Sequence, residues 1–117
     1  MADDSADIKQ SLEKNAGEFI QSGDEDLEKE RFNSAVSSYF KATVVLCDLK
    51  IYEERRLLPK NHSERFLFLK IHFKEAYEIV NLLFNKYTDS YNLRLSKKDA
   101  LFLKENVEKI KKIFGFS

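Results

Sequence analysis

Between Arg55 and Arg65 the chain places Arg55, Arg56, Lys60, His62 and Arg65, five groups able to carry positive charge within eleven residues, against the single acid Glu64. Arginine grips a phosphate through two parallel hydrogen bonds, and a histidine titrating near neutrality can move protons. Arg55, Arg56, Lys60 and Arg65 are therefore candidate nucleotide- or phosphate-binding residues. Together with His62 they could bind a phosphate or cleave RNA through its 2′-hydroxyl. The same residues also fit a solvated connection in which Asn61 or Ser63 caps a helix and the arginines cover the end of the helix before it.

Elsewhere the chemistry is sparse. Glycine-rich phosphate loops, Ser/His/Asp nucleophile signatures and metal-ligand spacings are absent, so neither a metal nor a cofactor is expected. Cys47 lies in an apolar run and reads as a small buried hydrophobe, and as the lone cysteine it excludes an internal disulfide. His72 stands beside an apolar stripe rather than in it, as a flanking or partly buried structural residue does. Tyr77 and Tyr91 could project onto a partner or a base.

The elements that position these residues should all be helices. With three glycines and one proline in 117 residues, and no sustained alternation of apolar and polar positions, strands have little support. Ile8, Leu12, Ala16, Phe19 and Ile20 recur at helical spacing and predict a first helix from about Ser5 to Gln21. "SGDE" is expected to stop it, with Ser22 and Glu25 capping a second helix that runs to Arg55 or Arg56. The later half of that second helix, "AVSSYFKATVVLCDLKIY", is apolar on nearly every side except at Lys41, Asp48 and Lys50, which marks a central helix.

Pro59 disfavours helix at Leu58 and cannot donate an amide, so the chain breaks there. Asn61 caps a third helix whose apolar residues advance by threes and fours from Phe66 to Tyr91, with a kink near Ile71 or His72. Ser96 and Asp99 open a last helix that Gly115 closes. Short connections then give one all-α domain over residues 1–117, an antiparallel up-and-down four-helix bundle with a flexible N-terminus at residues 1–5.

Composition bounds the function. The chain is 43% hydrophobic with ten Phe and five Tyr, enough to form a core, and its net charge of zero gives no overall pull toward nucleic acid or membrane. The distribution is uneven: residues 1–30 carry ten acids and three bases, whereas residues 31–117 carry ten acids and seventeen bases. An anion site is thus expected in the later part. No signal peptide or membrane-spanning run is evident, and a cytoplasmic protein is expected.

The stretch "FNSAVSSYFKATVVLCDLKIYEERRLLPKNHSERFLFL" resembles the HEPN family, the higher eukaryotes and prokaryotes nucleotide-binding domains. The resemblance covers about residues 5–115 in helix order and residues 32–69 in detail. It implies an all-α bundle, frequently a homodimer, often paired with a nucleotidyltransferase in a toxin–antitoxin system. Many members look like metal-independent ribonucleases in which four to six residues separate an arginine from a histidine. His62 meets that spacing from Arg56, after five residues, and from Arg55, after six. Two departures count against catalysis: Leu57 rather than a polar residue follows Arg56, and Pro59 interrupts the spacer. The expectation is a non-catalytic binding protein that engages a nucleotide, RNA or a nucleotidyltransferase-type partner through the basic turn at residues 55–65, and that forms a homodimer through aromatic-rich faces. The alternative that the resemblance implies is a metal-independent ribonuclease toxin with Arg56 and His62 as the candidate catalytic residues, His62 acting as general acid or base and the arginine steadying charge on the phosphate.

Overall fold

A computed structural model describes residues 5–116 and is helical throughout, with no strand among the described residues. Five helices are present: α1 (Ser5–Glu28), α2 (Phe32–Arg55), α3 (His62–His72), α4 (Lys74–Asp89) and α5 (Lys97–Phe114). Residues 1–4, most of the expected flexible N-terminus, lie outside the described residues.

The first helix does not stop at "SGDE". It passes through Gly23 because that glycine serves packing. A Cβ at Gly23 would lie 2.5 Å from the ring of the fully buried Tyr39, so the missing side chain is what lets α1 and α2 approach. The next residue, Asp24, accepts a hydrogen bond from the Tyr39 hydroxyl. The chain reverses later, at Glu30, which takes a left-handed φ of 60°. There the Arg31 amide donates to the Asp26 carbonyl at 2.8 Å, and the Arg31 guanidinium reaches the Asp26 carboxylate. Accordingly α2 begins at Phe32 without a side-chain cap, not at Ser22.

As its composition requires, α2 is the centre of the molecule, with eleven of its 24 residues buried. Cys47 is buried among them, and burial pushes its thiol pKa far up, which leaves it an inert hydrophobe. Contacts fix the directions of its neighbours. Tyr39 meets Asp24 while Glu53 meets Lys9, so α1 is antiparallel to α2. Asn33 meets the Leu95 amide while Lys50 meets the Phe114 carbonyl, so α5 runs parallel to α2.

The expected third helix is two. Phe73, at φ −140° and ψ 67°, interrupts it, beside the anticipated kink. The interruption is a sharp fold rather than a bend: His62 and Phe84, each eleven residues from Phe73, bring their ring centroids to 5.6 Å. The two arms therefore lie against each other. Four helices become five, and the strict up-and-down path is lost at α3, as the site geometry makes plain.

Candidate functional site

Two contacts orient the α2–α3 connection. Arg65 meets Asp48 and His72 meets Arg55, both across 17 residues, so α3 runs alongside α2 in the same direction. Residues 56–61 must therefore carry the chain back along α2. Six extended residues span about 20 Å, enough to retrace some thirteen residues of helix at 1.5 Å each. Pro59 and the absence of helix from Arg56 to Asn61 supply that strap. Asn61 then caps α3, its side-chain oxygen accepting the Glu64 amide at 2.9 Å, as expected.

The five basic groups of the stretch divide. Arg65 is turned inward, its side chain only 9% exposed. It forms a two-pronged pair with Asp48, Nε to Oδ1 at 2.6 Å and Nη2 to Oδ2 at 2.9 Å. Its remaining arm, Nη1, lies 3.0 Å from Nδ1 of His62. A guanidinium only donates, so Nδ1 accepts and the neutral ring carries its proton on Nε2. Burial and the neighbouring guanidinium lower the His62 pKa, which keeps that neutral form dominant at pH 7. Burial raises the Asp48 carboxyl pKa, against the lowering pull of Arg65 and His62.

The imidazole is seated among aromatics, 6.1 Å from the Phe40 ring, 5.9 Å from Phe66 and 5.6 Å from Phe84, while one edge stays open. Phe40 stacks on Tyr87 at 4.5 Å. Beside them a pocket of about 280 Å³ is lined by Phe19, Phe40, Val44, Val45, His62 and Tyr87, with Lys41 as its cation.

Arg55, Arg56 and Lys60 reach solvent instead. All three are exposed, and none forms an ion pair among the described residues. The Arg56 backbone is left-handed, φ 56°, and ends α2, with its guanidinium 5.7 Å over the Tyr52 ring. Arg55 lies 5.9 Å over Phe68 and 3.4 Å from Nδ1 of His72, which is exposed rather than partly buried. The histidine that Arg55 meets is thus His72, and the arginine that His62 meets is Arg65. No hydrogen bond joins His62 to Arg55 or Arg56 among the described residues.

Asp48 and Lys41, polar exceptions in an apolar helix, belong to the site although spacing alone does not single them out. A lone acid in the buried half of α2 was the available signal, since such a group needs a partner. Tyr91 is 72% exposed, as anticipated, and its hydroxyl pairs with that of Tyr87 at 2.8 Å, while Tyr77 is half-buried. No cluster of metal-ligating side chains occurs among the described residues, and no described helix is long and apolar enough to cross a membrane. Compared with family models, curated proteins and solved structures, the chain matches none.

Proposed function

We propose that the chain is a HEPN-like helical binding protein, non-catalytic, that engages the phosphates of a nucleotide or RNA, or an acidic nucleotidyltransferase-type partner, through Arg55, Arg56 and Lys60. The observation that carries this reading is the division of the basic groups: three exposed cations without a carboxylate partner, set beside a fourth, Arg65, already occupied by Asp48. These cations lie on or next to an irregular strap, with the guanidinium carbon of Arg56 5.7 Å over the Tyr52 ring and that of Arg55 5.9 Å over the Phe68 ring.

The same division speaks against catalysis. A general base needs a free lone pair, and the one on the neutral His62 ring points at Arg65. The outward Nε2–H is a weak acid. Arg65, in turn, cannot swing to a phosphate without leaving the buried Asp48 carboxylate alone. The ribonuclease alternative, with Arg56 and His62 in the groove, keeps one supporting observation, the open edge of His62 beside the Lys41 pocket.

Incubation of mixed RNA with the protein in EDTA, then analysis for fragments ending in cyclic phosphate, separates the two. Intact RNA, retained by the protein and released when Arg56 and Lys60 are both replaced by alanine, is the expected result. Fragments made by the wild type and not by His62→Ala would establish the ribonuclease.

A further inference from the structure

Away from the turn, α4 and α5 lie side by side: Lys86 pairs with Asp99 at 2.7 Å at one end, while Glu75 and Ile79 line a groove with Lys112 and Ile113 at the other. The two helices are therefore antiparallel. The groove between them, about 510 Å³, is floored by Ile79 and Ile113 and flanked by Leu82, and Phe102 follows further along α5. Leu82 is 57% exposed and Phe102 37%, an apolar seam on an otherwise charged face.

The rims of this groove differ in sign. On the α4 side stand Glu75 and Glu78, and on the α5 side Lys109 and Lys112. All four are exposed, and although they line one groove none is ion-paired among the described residues. We infer that this face is where a second copy of the chain docks, about a two-fold axis that runs along the groove.

The charge pattern selects both the partner and the axis. A two-fold axis parallel to the helices lays α4 of one protomer over α5 of the other at the same height, so each acidic rim meets a basic rim, twice. A two-fold axis across the helices lays α4 on α4 and sets acid against acid. A face with one rim of each sign is thus complementary to itself, as an isologous contact requires. Along the seam, Leu82 of each copy would cover the α5 side of the other. Glu105, beside Leu101 and Phe102, is the one acid of the α5 rim. The size is adequate. Helices of 16 and 18 residues at 1.5 Å per residue, each about 10 Å wide, offer a face about 25 Å long and about 20 Å wide. Once side-chain relief is included, that is of the order of the roughly 800 Å² per partner of a stable interface. This proposal does not depend on the reading of the basic turn.

Sedimentation equilibrium of the full chain over a concentration series tests it, using two variants, Glu75→Lys with Glu78→Lys and Lys109→Glu with Lys112→Glu. Exposed positions are altered, so both should keep their helical circular dichroism. The wild type is expected to be a dimer, and each variant alone to associate on the order of a hundredfold more weakly. An equimolar mixture of the two is expected to regain association as a mixed dimer, because the all-basic face of one variant meets the all-acidic face of the other along both rims. The four-fold swap in one chain, which reverses both rims together, is expected to dimerise like the wild type. A monomeric wild type, a dimer indifferent to both reversals, or a four-fold variant that stays monomeric while remaining folded would overturn the proposal.

Discussion

Arg56 and Arg65 stand nine residues apart in one basic stretch and end in opposite circumstances. Arg65 is buried and bonded to Asp48 and His62, and it locks α3 onto α2. Arg56 closes α2, rests on the Tyr52 ring and meets solvent. The same side chain is a structural fastener in one place and an unpaired cation in the other. What decides is whether the local path brings a carboxylate within reach. Because residues 56–61 run back along α2, Arg65 arrives beside Asp48 while Arg56 is left at the far end.

That contrast can be broken most forcefully at the closed corner. Arg65→Ala strands a mostly buried carboxylate and is expected to lower unfolding free energy by about 3 kcal/mol, measured by urea denaturation. Pairing it with Asp48→Leu should recover much of the loss, since the penalty comes from the uncompensated charge. Next in size is a replacement distant from the stretch: Gly23→Ala forces a methyl into the Tyr39 ring and should cost about 2 kcal/mol.

Smaller, and more specific to the corner, is the effect of pH. The folded-state pKa of His62 lies below its unfolded value of about 6.5, so the unfolded chain takes up the proton first as pH falls. Its contribution to stability is complete above that unfolded value and is lost as pH drops toward the folded one. Urea unfolding at about pH 7.5 and about pH 5.5 should show this decline in the wild type and a shallower one in His62→Gln. At the open end, Arg56→Ala with Lys60→Ala should leave unfolding free energy within about 0.5 kcal/mol of wild type. A large loss there would mean the turn is a fastener too.

Parts of this architecture are written locally and were legible. The Asn61 cap, the Ser96–Asp99 capping box and the left-handed Gly115 each act within a few residues, and all stand where spacing placed them. The end of α2 at Arg55 and its all-round burial also followed from pattern alone. What was not legible rests on partners distant in sequence or on breaks that composition does not mark. Gly23 reads as a helix stop until Tyr39, sixteen residues on, is known to press against it. Glu30 and Phe73 break helices without glycine or proline, so composition carries no mark of either. For the site, the basic residues and their stretch were evident, but their sorting was not. Asp48 lies seventeen residues before Arg65, and no helical or strand period links them. Only the backward path of the strap does so.

The most direct measurement is the anisotropy of a labelled single-stranded RNA titrated with wild type and with Arg56→Ala/Lys60→Ala over a series of salt concentrations. Binding by the wild type should fall with salt, and the folded double variant should bind more weakly with its log–log slope reduced by about 1.4, the loss of two phosphate contacts. Equal affinity and equal slope for the two proteins would contradict a binding role for the turn and leave it a connection between helices.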